Sequence, residues 1–265
     1  MTRVGEVRVA DGTTISYAVT GSGPWLVLSN SLATNRHMWD PQLEELAARF
    51  TVLTYDTRGH GKSGVGDGDF DFTTLAGDVV ALMDELGIDT ARFMGLSLGG
   101  MTGLALALEH PGRFDRVTCC DARADAPDGY RAMWDANIAL AEADGMAAVA
   151  EATLPRWFSD SYREDPANAP SLESVREMIL TTDAKGYILA ARCLQGLDYL
   201  KSLDQIQIPA QFITGELDPA ASVAVMQDMA DRVPNAKLHV VPGAAHLSNL
   251  ERPTAFLEAA LTTLA

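Results

Sequence analysis

The chain has 265 residues and is 47% hydrophobic, enough apolar content for one sizeable buried core, and nothing in its composition suggests disorder or a repeat array. Its 20 Lys and Arg against 36 Asp and Glu give a formal charge of −16, which argues against nucleic acid or an anionic membrane surface as a partner. Three cysteines, Cys119, Cys120 and Cys193, show no CxxC spacing and so argue against a disulfide framework or a zinc site, while residues 1–10 lack the apolar core of a signal peptide and no apolar run reaches a membrane span, so a cytoplasmic address is expected.

Glu6–Ala10 and Thr13–Val19 alternate like two strands of a hairpin across Asp11-Gly12. Trp25–Asn30 and Thr51–Tyr55 are short apolar runs bounded by turn residues, the signature of buried parallel strands, with a helix over Pro41–Arg49 between them. A helix follows over Phe72–Leu86, stopped by Gly87, then a strand over Arg92–Gly95 and a helix over Leu98–His110 that ends at Pro111-Gly112. Arg116–Cys120 is another strand. This rhythm predicts a mostly parallel sheet with helices on both faces, an α/β architecture.

The rhythm breaks after Asp121. From Ala122 to about Gln205 no strand is expected, only helical patterns rich in Ala, Met and Trp, with Pro155, Pro166 and Pro170 as breakers. Strands return at Gln211–Gly215 and Lys237–Val241, with helices over Ser222–Arg232 and Thr254–Leu264. The expected organisation is a core in two pieces, 1–121 and 206–265, interrupted by a helical cap at 122–205.

The strongest chemical signal is Gly95-Leu96-Ser97-Leu98-Gly99-Gly100, which follows a predicted strand and opens a predicted helix, the context of a G-x-S-x-G nucleophile elbow. The flanking glycines let the turn close, so Ser97 would project its hydroxyl above the sheet. A serine needs a base. An elbow of this kind is followed in chain order by the acid and then the histidine. Of the five histidines only His239 and His246 follow Ser97 late enough; His239 falls within a strand, whereas His246 sits in Gly243-Ala244-Ala245-His246, on a loop past the last strand. Asp218, on the loop after Gln211–Gly215 and kept out of helix by Pro219, is the expected acid, with Glu216 and Asp121 as competitors. An oxyanion hole needs two N–H donors: Leu98, next to the nucleophile, and Leu32, in Ser29-Asn30-Ser31-Leu32 after the first buried strand. Gly59-His60-Gly61-Lys62-Ser63-Gly64 matches G-x-G-x-x-G, but no helix can start promptly in the Gly- and Asp-rich 65–71, so a dinucleotide site is not expected there.

Together, Asn30-Ser31-Leu32, Met38-Trp39-Asp40-Pro41-Gln42, Tyr55-Asp56-Thr57-Arg58-Gly59-His60-Gly61 and the Ser97 elbow resemble the 3-oxoadipate enol-lactonases of the α/β-hydrolase superfamily, as do Met133-Trp134, Gly145-Met146 and Arg156-Trp157-Phe158 in the insertion. The likeness runs from about Gly12 to the C-terminus. It implies the α/β-hydrolase fold with an inserted helical cap and hydrolysis of an enol-lactone in aromatic catabolism, with neither metal nor organic cofactor. The chain departs from that pattern at Asp121-Ala122-Arg123, where the family commonly has Asn-Thr-Ala, and at Asn137, where it commonly has Arg. Because the family substrate bears a free carboxylate, Arg123 is the expected clamp for it, and Trp134 and Trp157, with Met133 and Phe158, are the expected pocket lining.

The expected function is a carboxylic ester hydrolase acting on a small-molecule lactone or ester through an acyl-enzyme on Ser97, with homo-oligomerisation left open. The alternatives are a broad carboxylesterase, another lactonase, a carbon–carbon bond hydrolase or perhydrolase with the same triad, or a catalytically silent ligand-binding receptor on the same fold.

Overall fold

A computed structural model describes residues 2–264; Met1 and Ala265, at the outer ends of the two expected core segments, lie outside them. Eight strands form one sheet: β1 (Arg3–Arg8), β2 (Thr14–Gly21), β3 (Trp25–Ser29), β4 (Thr51–Tyr55), β5 (Ala91–Leu96), β6 (Phe114–Cys120), β7 (Ala210–Gly215) and β8 (Lys237–Val241), in the spatial order β1-β2-β4-β3-β5-β6-β7-β8. The expected hairpin forms, with β1 antiparallel to β2. The strand β2 is also antiparallel to β4, and from β4 to β8 every pairing is parallel. The middle strands are apolar on both faces because helices cover both. Leu26, Val27, Leu28, Val52, Leu53, Phe93 and Met94 are all fully buried.

The helices are α1 (Asp40–Ala47), α2 (Phe72–Glu85), α3 (Leu98–Glu109), α4 (Asp128–Trp157), α5 (Asp160–Glu164), α6 (Ala169–Thr181), α7 (Ala184–Gln195), α8 (Val223–Arg232), α9 (Ser248–Glu251) and α10 (Pro253–Leu264). Each parallel strand ends at the same edge of the sheet. Asn30, Asp56, Ser97, Asp121 and the loops after Gly215 and Val241 therefore gather there, as in other open parallel sheets that bind ligands.

The helices α4 to α7 occupy the chain between β6 and β7. The two stems of this insertion are stitched together by a bridge between Asp125 and Asp198 and by the Tyr199 and Leu200 N–H groups, both donating to Ala124 O. Pro155 does not act as the expected breaker. It sits in the last turn of α4, which runs on to Trp157; the interruption comes earlier, at Gly145 (φ 74°, ψ −175°), where the helix bends. The insertion meets the core through bare backbone. A Cβ on Gly186 of α7 would lie 2.4 Å from Gly59 O, so the Gly-rich 59–64 loop serves as a landing site for α7. Among the described residues no helix is long and apolar enough to cross a membrane.

Candidate active site

The strand β5 runs straight into α3 through Ser97, which adopts φ 55°, ψ −115°, a conformation that is strained for a residue with a Cβ. The turn can be this tight because of its neighbours. A Cβ on Gly95 would sit 2.1 Å from Gly99 O, and one on Gly99 would sit 2.3 Å from Ser29 O. The result is a hydroxyl raised at the N-terminal end of α3, where the first N–H groups of the helix have no partners within it.

Ser97, Asp218 and His246 come from three distant stretches of sequence and meet here. His246 Nε2 lies 3.0 Å from Ser97 Oγ, and Nδ1 lies 2.8 Å from Asp218 Oδ2. The other carboxylate oxygen of Asp218 accepts from Ala220 N at 2.7 Å and Ala221 N at 3.0 Å, which fixes its orientation. All three side chains are buried. Burial pulls the His246 pKa down, but the adjacent Asp218 carboxylate, with a further contribution from Asp121, more than offsets this and leaves it above the ordinary imidazole value of 6.5. Burial alone would raise Asp218; the imidazole and the two N–H donors instead hold it below the usual carboxylate range.

The competing residues are placed elsewhere. Glu216 turns outward, with Oε2 accepting from Gly243 N at 2.9 Å. His239 is half-buried on β8, 3.3 Å from Thr262 Oγ1. Asp121 is fully buried near the triad, but it is bonded to Gly215 N and Ser248 Oγ, not to His246.

Leu32 lines the pocket above Ser97, and Leu98 follows the serine. Neither N–H has a protein acceptor among the described residues. The loop that presents Leu32 is shaped by buried Asn30. Its Nδ2 donates to Ser31 O (3.0 Å) and Thr34 O (2.8 Å), and its Oδ1 accepts from Thr57 N (3.2 Å) and Thr57 Oγ1 (2.9 Å).

The insertion roofs a pocket of about 640 Å³ including its mouth, of a size suited to a small molecule. Its walls include Met101, Met133, Trp134, Trp157 and Pro219. Trp157 is 6.2 Å from the His246 ring, centroid to centroid, and its carbonyl accepts from Leu247 N at 3.1 Å. Glu251 ties the same parts together: Oε2 accepts from Ala245 N at 2.8 Å, and its carboxylate also takes Ser159 Oγ–H. Nothing in the residue pattern marked Glu251, because the four-residue α9 that bears it is too short for periodicity.

Arg123 also lines the pocket, but its donors are committed. Nη2 is 3.0 Å from Asp125 Oδ1, Nη1 donates to Ala220 O at 3.2 Å, and the guanidinium lies over the Tyr130 ring. The less constrained cation is Arg156, which went unassigned from the sequence. Its Nη1 touches only the Met133 sulfur at 3.3 Å, and its buried Nε has no hydrogen-bond partner. Among the described residues no carboxylate lies within ion-pair distance of it. Its charge already opposes protonation of His246. Among the described residues no cluster of three or more His, Cys, Asp or Glu is placed to hold a metal ion.

A family model described as the alpha/beta hydrolase fold matches residues 24–253. The chain is 34% identical over 253 residues to 3-oxoadipate enol-lactonase 2 of Acinetobacter baylyi, covering 95% of this chain and 93% of the relative. The enol-lactonase of Burkholderia xenovorans superposes with a TM-score of 0.93 at 38% identity, covering 98% of this chain and 99% of that one. A thermophilic esterase of Thermogutta terrifontis superposes with a TM-score of 0.91 at 27% identity, covering 99% and 98%. The likeness to enol-lactonases that the motifs suggested thus extends over nearly the whole chain.

Proposed function

The chain belongs to the α/β-hydrolase family, and on that premise we propose that it opens a lactone or ester through an acyl-enzyme, with Ser97 as nucleophile, His246 as general base and Asp218 as the acid that orients it. The observation behind this reading is the unbroken line from Asp218 Oδ2 to His246 Nδ1 and from Nε2 to Ser97 Oγ, at 2.8 and 3.0 Å. Asp218 holds Nδ1 protonated, so Nε2 is free to take the Ser97 proton as Oγ attacks the carbonyl carbon. The Leu98 and Leu32 N–H groups receive the tetrahedral oxyanion. Collapse expels the enolate or alkoxide, which takes the proton from His246. Water then enters, and His246 takes one of its protons as the hydroxide adds to the acyl carbon. Collapse expels Ser97 Oγ, which takes that proton back from His246 as the acid is released.

His246 must be neutral to act as base, and its pKa lies above 6.5. The rate is therefore full above that pKa and falls as pH drops through it. The kcat/KM profile is expected to lose activity on an acid limb lying above about pH 6.5; a limb near pH 4 would mean that a carboxyl, not the imidazole, titrates.

The enol-lactonase relatives and the pocket chemistry support a lactone bearing a carboxylate as the substrate. In this reading Arg156, rather than Arg123, meets that carboxylate, since its guanidinium has no acidic partner while that of Arg123 is held by Asp125. A hydrogen bond to a charged group is worth about 1.5–3 kcal/mol. Arg156→Ala should accordingly raise KM for an anionic enol-lactone by roughly tenfold or more while leaving KM for a neutral short ester near its original value. Arg123→Ala is expected to change the anionic KM by no more than about twofold. The reverse ranking would return the anion to Arg123. The three buried, unpaired thiols are in keeping with a cytoplasmic enzyme. Turnover measured across muconate-derived enol-lactones, simple lactones and short p-nitrophenyl esters tests the substrate reading.

A further inference from the structure

The mechanism above leaves one buried acid unused. Asp121 follows the last residue of β6, adopts φ 45° and is fully buried, yet it borders the same pocket as Ser97 and His246. Its two oxygens bond to the two loops that bear the rest of the triad. Oδ1 accepts from Gly215 N at 2.8 Å, at the root of the Asp218 loop. Oδ2 is 2.5 Å from Ser248 Oγ, two residues beyond His246. A group whose only task was to clip these loops together could be an amide, since Asn can accept from Gly215 N and donate to Ser248 Oγ equally well. A carboxyl placed here also faces a second buried carboxyl and an imidazole.

We propose that Asp121 is a second acidic partner of His246, held in reserve: the Asp121 and Asp218 carboxyls share one negative charge beside the imidazole, and Asp121 takes that charge when Asp218 is lost. This rests on the serine-hydrolase reading of the site. Two carboxylates in one buried site cannot both ionise cheaply. Asp218 has two N–H donors and the His246 ring edge, so it keeps the charge. Burial, and next the repulsion of Asp218, push the Asp121 pKa well above the carboxylate range, against the opposing pull of His246, Ser248 and Gly215. The other titratable groups near it do not supply a competing charge. Cys119 and Cys120 on its own strand are buried thiols pushed up by burial, Arg123 is paired with Asp125, and Arg156 faces His246 from the insertion. Neutralising Asp218 removes the repulsion while the attraction to an imidazolium remains, so Asp121 ionises in its place.

The test is the rate at which a fluorophosphonate labels Ser97, a step in which the Oγ–P bond forms, fluoride leaves and His246 takes the hydroxyl proton. It is measured against pH for the wild type, Asp121→Asn, Asp218→Asn and the double variant. Asp121→Asn is expected to slow labelling about threefold in the wild-type background but at least about thirtyfold in the Asp218→Asn background, because groups that substitute for one another are strongly non-additive. The double variant should rise with pH only as His246 loses its proton, whereas Asp218→Asn alone should show a further rise as Asp121 ionises. If Asp121 were purely structural, Asp121→Asn would keep both clip contacts and change labelling by the same factor in both backgrounds, and that result overturns the proposal. Ser248→Ala guards against a folding defect. It removes one bond of the clip but keeps the carboxyl, so the pH-dependent residual rate of Asp218→Asn must survive it; its loss would also overturn the proposal. Absence of any Ser97 labelling in the wild type would instead refute the serine-hydrolase reading itself.

Discussion

Ser97→Ala is expected to lower kcat for the best lactone or ester substrate by at least about 10³-fold, about 4 kcal/mol of transition-state stabilisation, with the folded structure intact. In the proposed mechanism the loss is large because the Ser97 hydroxyl oxygen forms the covalent bond, with His246 Nε2 3.0 Å from it and Asp218 behind the imidazole. The rate that remains belongs to water attacking a carbonyl held in the oxyanion site. The fold should survive, since alanine removes one oxygen from a pocket-facing side chain and relieves none of the φ 55° backbone, which the surrounding glycine contacts impose. Steady-state kinetics and thermal melting on the same preparation check both halves. A variant with kcat within about tenfold of wild type would remove Ser97 from the chemistry.

The second large effect is on stability. Gly95→Ala places a Cβ 2.1 Å from Gly99 O, 2.3 Å from Gly99 C and 2.8 Å from Gly100 N. All three are backbone atoms of the turn and of α3, which is itself packed against β5 and β6, so no side chain can move aside to make room. The strand or the helix must shift as a body, and overpacking of this kind costs about 3 kcal/mol or more. For a chain of this size that corresponds to a fall in Tm of roughly 6–12 °C, and the elbow displaced by the shift should lose most of its activity as well. Gly112→Ala is the internal comparison: nothing lies within 4 Å of its would-be Cβ, and its stability change should stay within about 0.5 kcal/mol. Equal Tm values for the two variants would mean that the elbow is looser than its contacts indicate.

The core was readable wherever local chemistry and periodicity agreed. Thr51–Tyr55 and Lys237–Val241 are strands over the ranges expected, and the elbow announced itself because a Gly-flanked serine stood between an apolar run and a helix. The insertion was readable only as helical. Its longest helix continues past Pro155 to Trp157 and bends at Gly145, where nothing in the hydrophobic pattern marks a break. Electrostatic pairing was the least legible property. Arg123 and Arg156 look alike in sequence; only folding shows that Asp125 and the Ala220 carbonyl occupy the first while the second meets a methionine sulfur. Asp121, Glu216 and Asp218 were all candidate acids at strand ends, and which of them reaches the imidazole depends on loop geometry after the strand. Asp218 does because Ala220 and Ala221 turn its carboxylate back toward His246, whereas Glu216 is drawn outward by Gly243 N.

The most direct test of the acyl-enzyme is to quench the wild type during turnover of a slowly deacylating p-nitrophenyl ester, weigh the intact protein and map the adduct. The expected result is one acyl group per chain, formed in step with a burst of p-nitrophenol and located on the peptide containing Ser97, with no adduct on Ser97→Ala. Steady turnover with no burst and no added mass, or an acyl group on another residue, would contradict it.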